Sequence, residues 1–151
     1  LEDDIVLHDD FKEKFEKSIE EYRKNYADRN VLISYEDSSL QFVPRSKREK
    51  NRMLYPGKKD RMAGAYWINH HAARKILDLL KQDPTDIPID CYHYRLLREG
   101  AIDYLWCQPA LATQGSFTGQ FRSSLSKKKD RMIEIRWWFK KNYKQLLYWL
   151  R

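Results

Sequence analysis

Ala63-Gly64-Ala65-Tyr66-Trp67-Ile68-Asn69-His70-His71-Ala72-Ala73 is the stretch on which the fold class turns. Its first half reads as a short strand of small and aromatic residues. Asn69 then offers a side-chain oxygen to the free amides of a helix start. Ala72, Ala73, Ile76, Leu77 and Leu80 supply that helix with an apolar face. A strand that runs straight into a capped helix is the repeating unit of an α/β protein.

Working outward, the same alternation recurs. Residues 1–6 read as the end of a buried strand, Val31-Leu32-Ile33 as a core strand and residues 102–106 as another, ending at Gln108-Pro109. Phe11, Phe15, Ile19, Tyr22 and Tyr26 recur at helical steps behind Asp9 or Asp10 as cap. Asp83-Pro84 and Pro88 mark a turn before a short helix from Ile89 to Arg98, closed by Gly100. Residues 41–61, with Pro44, Pro56, Gly57 and eight basic residues, show no sustained apolar period and are expected to form a mobile loop. The expectation is an α/β sandwich with a mixed or largely parallel sheet flanked by helices, followed by a C-terminal amphipathic basic helix.

The chain has 151 residues, 42% of them hydrophobic and 14% aromatic, which excludes the disordered and fibrous classes. Its net charge of +7 is unevenly spread: residues 1–44 carry −6, 45–61 carry +6, 62–121 carry −1 and 122–151 carry +8. The basicity belongs to one loop and one tail, whereas a nucleic-acid binder spreads Lys and Arg over a folded face with aromatics between them, so no nucleic-acid partner is expected. A basic nucleic-acid-binding or membrane-surface-binding module without catalysis is the alternative. Cys91 and Cys107 fit neither a CxxC nor a zinc pattern and read as unpaired thiols. The longest apolar run, residues 146–150, is far short of the roughly 20 residues that span a bilayer. The absence of an initiating Met before Leu1 leads to the expectation that a larger protein has lost its N-terminal part.

On a strand, Glu2 and Asp4 point to one face and Asp3 to the other. Two carboxylates at a strand end make a site for a hard divalent ion that holds a diphosphate, although acidic triplets are more often solvated turns. Glu2-Asp3-Asp4 gains company from Asp10-Phe11, from Gly64-Ala65-Tyr66-Trp67-Ile68 leading into Ala72-Ala73, from Pro88-Ile89-Asp90, and from Gln108-Pro109 with Gln114 and Ser116. In that order and separation, residues 1–125 resemble glycosyltransferase family 25, the lipooligosaccharide-biosynthesis sugar transferases and their collagen-modifying relatives.

The resemblance implies a GT-A-like domain over residues 1–125 that lacks its N-terminal nucleotide-binding strands. It implies a metal-dependent inverting transfer of a hexose, galactose from UDP-galactose, to a saccharide acceptor of bacterial lipooligosaccharide or lipopolysaccharide. Glu2-Asp3-Asp4 would be the DxD-like motif. Asp4 is then the leading ligand for Mn²⁺ or Mg²⁺, and Glu2 or Asp3 touches the ribose, or the ion through water. Glu2 stands where many transferases have Asp, which weakens the case for direct coordination.

Asp90, at a helix start that favours a carboxylate, reads equally as the general base that takes the acceptor hydroxyl's proton and as a helix cap. Gly64 and Ala65, ahead of Tyr66, either let the backbone approach the donor sugar or pack tightly under a helix. Neighbouring His70 and His71 point about 100° apart on a helix and read as first-turn decoration. His93 is a candidate third metal ligand or substrate contact near Asp90, and Gln114 and Ser116 read as surface loop residues within reach of an acceptor. The 45–61 loop reads as a solvated loop, with closure over the donor diphosphate as the sharper alternative.

Residues 126–151 form a separate basic, aromatic tail. Met132, Ile135, Phe139, Tyr143, Leu146 and Leu150 make one helical stripe, Lys140, Lys141, Lys144 and Arg151 the neighbouring arc, and Trp138 and Trp149 the other flank. Such a helix lies in a lipid headgroup layer, or docks on the domain with spare Trp on its surface, and the two readings are compatible. The expected location is therefore cytoplasmic, peripheral on the inner face of the bacterial cytoplasmic membrane, where a lipid-linked acceptor is found.

Overall fold

Val31, Leu32 and Ile33 are wholly buried and form the inner strand β2 (Val31–Ser34) of a four-stranded sheet. The computed structural model describes residues 1–59, 61–121 and 131–151, with side chains of the last segment from Glu134 onward. β2 pairs in parallel with β5 (Asp103–Cys107) and antiparallel with β4 (Tyr66–Ile68). β3 (Leu54–Pro56) adds antiparallel to the far side of β5, giving the order β3-β5-β2-β4. The fold is α/β with a mixed sheet flanked by helices, as expected, and one of the three strand pairs of that sheet is parallel.

Alternation along the strands sends side chains to two faces, and each face has its own helices. Val31, Ile33, Leu54 and Leu105 pack under Phe11, Phe15 and Tyr22 of α1 (Phe11–Asn25). Leu32, Tyr55, Tyr104 and Trp106 meet Ala72 of α2 (His70–Gln82) and Tyr92 and Leu96 of α3 (Ile89–Arg98). Asn69 caps α2 by accepting the Ala72 amide at 2.8 Å, and Gly100, at φ +68°, ends the α3 region. Asp10 occupies the cap position of α1 without a capping bond, because its carboxylate is taken by Lys14. On α2, Leu77 faces solvent at 59% exposure and Leu79 takes its place against the core.

Two expectations fail here. Residues 41–61 are not a free loop: a 3₁₀ turn at Arg45–Lys47 and the strand β3 lie within them, and Leu54 and Arg61 are fully buried. Arg61 donates to the carbonyls of Gln41 and Cys107, both at 2.9 Å, with its guanidinium 4.6 Å over the Trp106 ring. Burial brings its pKa down to about 10. Residues 1–6 are not one strand either: β1 is Ile5–Leu7, and the acidic triplet lies ahead of it in a turn closed by Ile5 N–H donating to Glu2 C=O. Strand alternation therefore does not align Glu2 with Asp4.

β1 pairs antiparallel with β6 (Ala112–Gln114), a strand without a sequence signal, with Ile5 opposite Gln114. A parallel bridge between Glu36 and Ala112 ties this ribbon to the loop after β2. The short helix α4 (Gly115–Thr118) follows, then the long α5 (Arg131–Leu150). The expected boundary between residues 125 and 126 lies outside the described residues, as does the Met132 side chain. Cys91 is exposed and Cys107 buried, and neither forms a disulfide. No helix among the described residues is long and apolar enough to cross a membrane.

Candidate functional site

The acidic turn is held by backbone far away in the sequence. Glu2 N–H donates to Gly64 C=O at 2.8 Å, and Gly115 N–H donates to Asp4 C=O at 2.7 Å. Gln114 Nε2 donates to Glu2 Oε2 at 3.0 Å across 112 positions. Glu2, Asp4, Gly64 and Gln114, singled out one by one along the chain, are thus neighbours in space. Gln114 is buried in β6 instead of lying on a surface loop, with Ser116 half-buried in α4 beside it.

Beneath the turn lies Glu36, which no sequence pattern singled out. It is fully buried; Oε1 accepts the Gly64 amide at 2.7 Å, while Oε2 has no hydrogen-bond partner among the described residues. Burial pushes its pKa up to about 7, against the opposing pull of Ser38 and the Gly64 and Ala65 amides, and the nearby Glu2 charge adds to the rise. The signal existed: Glu36-Asp37 follows the Val31-Leu32-Ile33 strand, and strand ends are where open α/β sheets place ligands.

Gly64 is small for the protein's own sake. A Cβ there would come within 2.7 Å of Ile5 Cδ1 and 3.1 Å of Glu36 Oε2, so the glycine lets β1 and Glu36 close on the 64–65 backbone. Of the two sequence readings, tight packing is the one that has visible contacts. Ala65 is fully buried and Tyr66 partly so.

Asp90 sits half-buried in the first turn of α3, its Oδ1 accepting the amide of Cys91 at 2.8 Å. One turn on, the buried His93 ring meets Tyr66 edge-on at 4.9 Å, and its Nδ1 has no hydrogen-bond partner among the described residues. Burial drops the His93 pKa to about 4, with the Asp90 charge pulling the other way. Tyr66 therefore links the α3 start to the strand that Gly64 leads into, although no hydrogen bond or ion pair among the described residues joins Asp90 to the acidic turn. His70 and His71 are exposed in the first turn of α2, with His70 3.3 Å from Arg74.

The Glu2, Asp3 and Asp4 carboxylates of the turn are the kind of oxygen donor that suits Mg²⁺ or Mn²⁺, ions that take one or two carboxylates and complete their shell with water and phosphate. No group of three or more His, Cys, Asp or Glu side chains converges as a ready-made cage among the described residues.

Compared with known proteins, the chain matches no family model, and no curated protein or solved structure is significantly similar to it.

Proposed function

We propose that the chain is the C-terminal part of a GT-A-like, metal-dependent inverting glycosyltransferase. It would move a hexose, galactose from UDP-galactose, to a saccharide acceptor in bacterial lipooligosaccharide or lipopolysaccharide biosynthesis. The observation that carries this reading is the convergence of Glu2, Asp4, Gly64 and Gln114, four positions drawn from three separate motifs of the family the sequence resembles.

In this reading Asp4 and Glu2 would hold the cation, and Asp3, Gly64 and Tyr66 border the nucleotide sugar, with the buried Ala65 beneath them. The bound ion would supply Lewis-acid neutralisation of the leaving diphosphate. Gln114 fixes the Glu2 carboxylate, and Gly64 fixes its backbone, so that the acidic turn presents oxygens without rearrangement. Asp90 accepts the proton of the acceptor hydroxyl as that oxygen attacks the anomeric carbon. The acceptor is lipid-linked, and the enzyme works from the cytoplasm as a peripheral protein on the inner face of the membrane.

The test is transfer from UDP-galactose to a saccharide acceptor by the native full-length protein, with Mn²⁺ and with EDTA. Asp4→Ala should lower turnover by about 100-fold or more, and Asp90→Asn should lower kcat by a similar factor with the donor KM little changed. Undiminished turnover in Asp4→Ala, or in EDTA, would remove the reading.

A further inference from the structure

Helix α5 meets the domain through one face and leaves its most apolar face outside. Trp137 stacks on Phe117 at 6.1 Å, Tyr148 meets Phe42 at 5.8 Å, and Lys141 reaches Asp37 at 2.7 Å. These three positions share one side of the helix. Lys141 therefore leaves the outward basic arc on which the sequence placed it. On the other side, Ile135, Trp138, Phe139, Tyr143, Leu146 and Leu150 are each between 52% and 69% exposed. Positions 135, 139, 143, 146 and 150 follow the helical period, so the stripe runs the length of a 20-residue helix, about 30 Å.

The charges beside this stripe say what covers it. Arg136 and Lys140 lie along one edge, one helical turn apart. The other edge carries Trp138 and Trp149, and Arg45 from the 3₁₀ turn sits 4.7 Å over the Trp149 ring. Glu134, the acidic residue of the first turn, is turned toward Gly119 and away from the stripe. An apolar band with cations on both edges repels a second copy of itself. It complements a layer that is apolar inside and anionic at its rim, with Trp at the boundary.

We propose that the outward face of α5 seats the protein on an anionic lipid surface, with the apolar stripe at the acyl boundary and Arg45, Arg136 and Lys140 among the headgroup phosphates. The proposal rests on the transferase reading only for the place of work. Binding needs no sugar, nucleotide or metal, so the two can fail separately.

The 151-residue chain should co-sediment with phosphatidylcholine vesicles containing about 30% phosphatidylglycerol, more weakly with phosphatidylcholine alone, and less as salt rises. Brominated lipid should quench its tryptophan emission, a readout that needs no variant. Phe139→Glu with Leu146→Glu, both solvent-facing, should keep the circular dichroism and lower partitioning about tenfold or more. Arg136→Glu with Lys140→Glu should lower it on anionic vesicles only. The proposal is overturned by any of three results: no vesicle binding by the unaltered chain; equal binding by the Phe139→Glu, Leu146→Glu variant; or a dimer that this variant dissociates in a chain that does not bind lipid.

Discussion

Lys141 Nζ lies 2.7 Å from Asp37 Oδ2, and the other oxygen of the same carboxylate accepts the Thr113 hydroxyl at 2.6 Å. His8 extends the chain of contacts, with Nε2 3.0 Å from Thr113 Oγ1 and Nδ1 3.1 Å from the Ala110 carbonyl. One carboxylate thereby connects the long terminal helix, the β1–β6 ribbon and the loop after β2, along a groove of about 330 Å³ that Arg48 and Gln108 also line.

Lys141→Ala should therefore loosen α5 as well as remove a charge. The Asp37 side chain is 4% exposed and that of Lys141 22%, so the variant leaves a carboxylate in a poorly solvated place. A loss of about 3 kcal/mol is expected in urea unfolding, with tryptophan emission shifting to the red as Trp137 loses the ammonium 4.8 Å from its ring. A loss under about 0.5 kcal/mol would mean the helix is held by its aromatic contacts alone.

Glu36 makes stability fall as pH rises. Below pH 4.5 its carboxyl is neutral whether the chain is folded or not; from there to about 7 the unfolded chain ionises while the buried group stays protonated. The total cost is about 3 kcal/mol, complete above pH 7. Glu36→Gln should flatten urea midpoints over this window and raise stability at pH 8; parallel pH profiles for the two proteins would refute the assignment.

His93 acts with the opposite sign. Above pH 6.5 the ring is neutral in both states; between 6.5 and about 4 the unfolded chain takes up a proton that the folded one refuses, so stability is lost as pH falls. Carbon-bound proton shifts of the His93 ring should stay constant down to about pH 5.

Asn69 has the densest hydrogen bonding of any single side chain described. Its Oδ1 accepts from Ala72 N and Val31 N at 2.8 and 3.1 Å, and its Nδ2 donates to Tyr22 Oη and Arg29 O at 2.8 and 2.6 Å. Asn69→Ala should cost about 3 kcal/mol, more than an ordinary cap, because the β2 amide and the Tyr22 hydroxyl lose partners inside the core. Asn69→Asp, which keeps the acceptor and not the donor, should fall between the two.

The helices and the strands β2, β4 and β5 were the legible part of the sequence. α2 and α3 announce themselves through Asn69, Pro88 and Gly100, local signals that need no knowledge of the rest of the chain. β3 and β6 escaped because three-residue strands carry no period, and what makes them strands is pairing with β5 and β1, about 50 and 100 positions away. The acidic turn was found for its chemistry and misread in its geometry, since its conformation is set by the Gly64 carbonyl and the Gly115 amide. In the tail the amphipathic stripe was plain, but periodicity does not say which side is docked: Trp137, Lys141 and Tyr148 form the contact, and the more apolar stripe is left outward.

The β1–β6 ribbon also sets an order of events during synthesis. Residues 5–7 wait for residues 112–114, and the carboxylates just ahead of them have no fixed arrangement until that late segment leaves the ribosome. Acidic groups made about 100 residues earlier are thus among the last to be put in place, and a truncation before Ala112 strands them however well the four-stranded sheet has formed.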